Sequence, residues 1–160
     1  MKKLHLIIFA LTALLFLTTS AFNEHPASAS VGNEAPDIIL KNSEKTFSLA
    51  QHRGQYVLVS FWSSVDAESR RLCGLYDAYS RDKDNIDFVG INLDNEETLF
   101  GSIVALDGMD ASRQYRISGS EARQLSNDYG LDGKLGTILV GPDGNIVVVN
   151  PRPEQLDRLS

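Results

Sequence analysis

The stretch YVLVSFW, residues 56 to 62, is apolar at almost every position, and SSVDAESRRLC, residues 63 to 73, follows it directly. An apolar run of this length without alternation is the pattern of a strand buried on both faces, as in a parallel or mixed sheet covered by helices. The residues after it read as a helix. From Asp66 to about Asp82 the apolar positions Ala67, Leu72, Cys73, Leu75, Tyr76 and Tyr79 recur at helical spacing, with Arg70, Arg71 and Asp77 on the other side. A doubly buried strand running into a helix places the chain in the α/β class.

Working toward the C-terminus, IDFVGINLD (residues 86 to 94) is a second buried strand. NEETLFGSIVALDG (95 to 108) has helical spacing through Leu99, Ile103 and Leu106, weakened by Gly101. SGSEARQLSNDYGL (118 to 131) reads as a helix that stops at Gly130, and GTILVGPDGNIVVVN (136 to 150) as a hairpin around a Pro-Asp-Gly turn. Toward the N-terminus, Ile38 and Leu40 alternate in VGNEAPDIILKN, which suits an edge strand or hairpin, and KTFSLAQHRGQ gives a short strand and a turn closed by Gly54. The order strand, helix, strand, helix, helix, hairpin predicts an α/β sandwich with a mixed sheet. NPRPEQLDRLS at the C-terminus has room only for a short helix from Glu154 to Leu159, which would leave one sheet face less covered and open to a partner or a second copy of the chain.

The chain has 160 residues, 42% hydrophobic and 22% charged, enough for one compact domain with a core. Met1-Lys2-Lys3 followed by the apolar run Leu4 to Leu17 reads as a secretory signal, too short to span a bilayer comfortably. Small residues at Ala27 and Ala29 suit a signal peptidase, so residues 1 to 29 are expected to be removed; a cut after Ala21 is the alternative. No Cys follows the run to carry a lipid anchor, so the expected product is exported and soluble, periplasmic where the cell has two membranes. Losing Lys2, Lys3 and Glu24 takes the formal charge from −6 to −7, which argues against nucleic acid or an anionic membrane as partner. With one Cys in the whole chain, no internal disulfide forms and no dithiol cycles.

Taken together, VGNEAPDIIL, SLAQHRGQYVLVSFWSS, FVGINLD and YGLDGKLGTILVGPDGNIV resemble, in order and spacing, the exported thioredoxin-fold proteins of the TlpA/ResA group, relatives of the AhpC/TSA family of thiol-disulfide oxidoreductases and peroxidases. The resemblance runs from about Val31 to Val148. It implies a thioredoxin-like domain over residues 30 to 160, with an N-terminal β-hairpin and a site at the start of the helix after Phe61-Trp62.

The chain departs from that pattern where the chemistry of the group resides. The resemblance lays the two cysteines of a Cys-x-x-Cys motif over Asp66 and Ser69, and a cis-proline facing them over the neighbourhood of Leu135, in Lys134-Leu135-Gly136-Thr137. None of the three is present. A cis bond without proline costs roughly 3 kcal/mol, so a trans peptide and a reshaped groove are expected. Asp66 keeps a negative charge at a helix N-terminus, where unpaired N–H groups favour it, and can cap the helix without a nucleophile.

The remaining candidates are weighed on chemistry. Asp66 and Glu68 have no His or Cys near them in sequence to complete a metal site, and no metal or other cofactor is expected. Ser69 would need a base, and His52, the only His after residue 29, sits in the turn before the central strand. Cys73 lies one turn past Ser69 beside Leu72 and Tyr76, too far along for a helix start to acidify it; a buried free Cys behaves as a small hydrophobe. Two functions follow. The first is a redox-inactive domain that binds a protein, peptide or small ligand in a relict groove at Trp62, Ser63, Ser64, Asp66, Ser69 and Leu135. The second is an oxidoreductase-type activity through Cys73 alone with an external thiol. A homodimer is a further expectation.

Overall fold

The computed structural model describes residues 29–42 and 45–159; the segment 1 to 29 expected to be a signal lies, apart from Ala29, outside them. Among the described residues the strands are β1 (Ile39–Lys41), β2 (Thr46–Ser48), β3 (Tyr56–Trp62), β4 (Ile86–Asn92), β5 (Gln114–Arg116), β6 (Thr137–Val140) and β7 (Ile146–Val149). The helices are α1 (Ala67–Ser80), α2 (Phe100–Leu106), α3 (Gly119–Asp128) and the single turn α4 (Pro153–Leu156). The sheet order is β5-β4-β3-β6-β7, with β3 parallel to β4 and antiparallel to β6, so the apolar run 56 to 62 is its central strand. β1 and β2 form a separate antiparallel hairpin, with Leu40 opposite Phe47. This is the thioredoxin-like α/β sandwich with a mixed sheet that the sequence predicts.

The pleat of β3 divides the core in two, because successive side chains of a strand point to opposite faces. Val57, Val59 and Phe61 face one side, joined by Val89 and Ile91 of β4 and covered by the hairpin (Leu40, Phe47) and α3 (Ala122, Leu125). Leu58 and Trp62 face the other, with Phe88 and Leu139, under Cys73 and Tyr76 of α1, Val104 of α2 and Leu156 of α4. The short C-terminus covers its face after all. Leu156 is fully buried, Tyr76 Oη donates to the Pro151 carbonyl, and Asn85 Nδ2 donates to the Leu159 carbonyl at 2.5 Å.

Three local expectations change. β5 is an added strand, parallel to β4 and too short to show a period. In α2 the buried residue is Val104, with Phe100 and Ile103 packed beside it, whereas Leu99 and Leu106 are exposed. In α1, Ala67 and Leu75 face solvent and Asp77 faces inward, fully buried. Asp77 is tolerated there because Arg81 pairs with it, Arg113 Nη1 lies 3.4 Å from it, and the Asp110 amide donates to it at 2.9 Å.

Candidate functional site

The end of β3 and the start of α1 are joined by a tight turn, in which the Asp66 amide donates to the Ser63 carbonyl. Asp66 is the N-cap of α1: its backbone is extended and its Oδ1 accepts from the Ser69 amide at 2.7 Å. Ser69 Oγ donates to the Asp66 carbonyl at 3.1 Å and accepts from the Ser63 amide at 3.3 Å. Asp66 and Ser69 therefore hold each other, and Ser69 is buried. Hydrogen bonds from Ser69 keep the Asp66 carboxyl below its ordinary value, a fixed anion at the helix start.

Asp94, in the loop after β4, is a residue that the sequence does not single out. Its Oδ2 accepts from the Ser64 amide at 2.7 Å and from Asn92 Nδ2 at 3.0 Å. Burial pushes the Asp94 carboxyl up, but the bonds from Ser63, Ser64 and Asn92 outweigh it and hold it below the usual range. From the other side, Arg70 Nη1 donates to the Ser64 carbonyl, while Arg70 is clamped by Asp107 through bonds of 2.9 and 2.7 Å. The backbone of residues 63 and 64 is thus pinned on both sides, and Val65 at its tip is 85% exposed.

Trp62 and Cys73 lie beneath this turn. Both are fully buried, so Trp62 is floor rather than groove wall. Gln114 of β5 joins them: its Oε1 accepts from Trp62 Nε1 at 3.1 Å and from Cys73 Sγ at 3.6 Å. Phe100 stacks on the Trp62 ring, with centroids 5.8 Å apart. Burial pushes the Cys73 thiol up to about 12, so at neutral pH it carries its proton.

The backbone next to Leu135 runs beside β3, with the Phe61 amide donating to the Gly136 carbonyl at 2.8 Å, but the Leu135 side chain is turned to another cluster. It packs on the other face of the sheet, against the cluster of Val57, Val59 and Phe61, and lines a cavity of about 260 Å³ with Ala29, Tyr129, Leu131, Ile138 and Val149. None of Trp62, Ser63, Ser64, Asp66 or Ser69 lines that cavity. All peptide bonds of the described residues are trans. Asn150 steadies the loop at Leu135: its Oδ1 accepts from the Thr137 amide at 3.0 Å and occupies the space beside Gly136, where a Cβ would come within 2.3 Å of it. His52 and Glu68 also lie outside the turn's bonds: His52 is paired with Asp87, and Glu68 with Arg71. No group of three metal-ligating side chains occurs among the described residues.

The sequence profile of the AhpC/TSA family matches residues 31–149, from the N-terminal turn through β7. The chain belongs to the AhpC/TSA family. Among solved structures, this family member is similar to a thioredoxin-like protein from Parabacteroides distasonis, with 27% identity, TM-score 0.69, and coverage of 82% of this chain and 95% of that one. It is similar to a thiol:disulfide interchange protein from a Bacteroides species at 26% identity and TM-score 0.68, covering 81% and 87%. It shares the fold of the thioredoxin domain of a thiol-disulfide oxidoreductase from Bacteroides vulgatus, at 23% identity and TM-score 0.71, covering 82% and 99%. No curated protein sequence matches. The AhpC/TSA match runs from before the hairpin through β7, and the one thiol is buried.

Proposed function

We propose that this chain is an exported thioredoxin-like domain without dithiol activity, which binds a protein or peptide at the turn between β3 and α1. The observation that carries this reading is the fate of the two dithiol positions. Asp66 and Ser69 are spent on each other as a helix cap, and the only thiol, Cys73, lies beneath them, protonated and out of contact with solvent. Export rests on the basic residues Lys2 and Lys3 and the apolar run behind them. Binding at the turn is supported by Val65, an exposed apolar side chain on a backbone held by Asp94 and Arg70. A preorganised loop with one apolar anchor loses little entropy on docking.

Two measurements test this. Reduction of insulin by dithiothreitol is expected to proceed at the same rate with and without the protein, and Cys73 is expected to react with a thiol reagent at pH 8 only after unfolding. Accelerated reduction that disappears in Cys73→Ser, with fast labelling of the native protein, would overturn the reading in favour of a one-cysteine oxidoreductase. Binding is followed by amide chemical shifts during titration with an unfolded polypeptide. Shifts are expected at residues 63–66, and a flat titration there sinks the binding half of the proposal.

A further inference from the structure

On the face of the sheet away from Cys73, the hairpin and α3 cover the core together, and a cavity of about 230 Å³ runs between residues 37–40 and α3. Ile38 and Leu40 are buried while Ile39 is 58% exposed, so the pleat sends the first two to one face of the hairpin and Ile39 to the other. A cavity that all three line therefore opens on an edge of β1. It is the outer edge, because β2 occupies the inner one and none of its residues lines the cavity.

That edge offers main-chain groups. The Leu49 amide donates to the Ile38 carbonyl at 2.9 Å and the Asn42 amide to the Lys45 carbonyl at 3.1 Å, so these residues bond toward the second strand of the hairpin. Antiparallel pairing alternates, which turns the N–H and C=O of Ile39, opposite Ser48, outward. Among the described residues no hydrogen bond from outside the hairpin reaches either group. An open edge beside an exposed apolar side chain is a template for one more strand.

The rim of the cavity is acidic. Asp37, Glu121 and Asp128 line it, no Lys, Arg or His does, and none of the three carboxylates forms an ion pair among the described residues. Asp37 accepts from the next amide, that of Ile38, at 2.9 Å, and Asp128 accepts from Gln124 Nε2 at 2.8 Å. Burial pushes the Tyr129 phenol up, and the charges of Asp37 and Asp128 both add to it, so the two carboxylates stand around one point.

We propose that the outer edge of β1 takes up an extended cationic peptide as a further strand. The peptide main chain bonds to the N–H and C=O of Ile39, and its Lys or Arg side chains reach Asp37, Glu121 and Asp128. This site is separate from the turn at residues 63–66.

The test is a titration of the isotope-labelled protein with a short blocked peptide of alternating valine and lysine, followed by amide chemical shifts, beside the same titration with a valine–glutamate peptide. Saturable shifts are expected at residues 37–41 and 117–128 with the lysine peptide alone. Ile39→Pro removes the outward N–H at an edge position, where proline is tolerated, and is expected to abolish them. Glu121→Gln combined with Asp128→Asn leaves the backbone untouched and is expected to raise the half-saturating concentration about fivefold, as for two exposed ion pairs. The amides of residues 63–66 report on the turn in the same spectra, so failure at this edge and failure at the turn are told apart. A flat titration at residues 37–41, equal shifts from the glutamate peptide, or binding that either variant leaves unchanged would overturn the proposal.

Discussion

Gln114 is the residue on which the buried centre depends, and a glycine makes room for it. A Cβ at Gly90 would come within 2.0 Å of Gln114 Oε1, the atom that receives both Trp62 Nε1 and Cys73 Sγ. Gly90→Ala is therefore expected to destabilise the protein by about 2 kcal/mol, through overpacking and displaced hydrogen bonds. Urea unfolding checks this as a lower midpoint at unchanged slope. In a Gln114→Ala background the same Gly90→Ala change should cost less, because the side chain that is struck is gone. At this scale, what the sequence discloses is local. The cap at Asp66 and the inert surroundings of Cys73 are both readable, since cap and partner lie three residues apart and the neighbours of Cys73 are one helical turn away. Gln114 and Asp94 leave no such trace, because their partners lie 52 and 30 residues away in the chain.

Among the elements, the loop joining β3 to α1 is the one whose stability responds to acid. Asp94 has a folded pKa below the unfolded value of 3.8, so the folded state binds fewer protons there than the unfolded chain. Its contribution is fully present above that value and is lost as pH falls through the folded pKa. Comparing wild type with Asp94→Asn by denaturant unfolding, the wild type is expected to be the more stable at pH 7, with the gap closing below about pH 3.8. A gap independent of pH would mean that shape rather than charge holds the loop. Helix α1 shows where periodicity misleads. Charge alone puts Asp77 on the wet side, yet Arg81 and Arg113 bring their charges to it and turn it inward. Arg113 comes from a different part of the chain, so helical spacing in residues 66 to 82 carries no sign of it.

For the whole molecule, the interior places of β3 and β4 follow from their apolar runs, because a strand that is apolar at almost every position has to be interior and helices have to cover both of its faces. The C-terminus is less legible. Eleven residues with two prolines look too few to close a face, but Leu156 reaches the core beside Leu58, Trp62 and Leu139, and Leu159 packs against the same cluster. Leu156→Ala is expected to cost roughly 3 kcal/mol, the range for a fully buried leucine, and to lower the thermal midpoint accordingly. A loss below about 1 kcal/mol would show that the last turn is an accessory to the fold rather than its closure.

The mutual hold of Asp66 and Ser69 also makes the present state of the chain hard to leave one substitution at a time. Asp66→Cys alone discards the carboxylate that accepts from the Ser69 amide and gains a thiol with no second thiol beside it. Ser69→Cys alone disturbs the hydroxyl that bridges the Asp66 carbonyl and the Ser63 amide, and again yields no disulfide. Any route to a dithiol at these two positions passes through two intermediates, each worse as a helix start and neither better as a reagent. The loop at Leu135, now steadied by Asn150, would still lack its proline at the end. The cap works as a latch on the helix start as it stands.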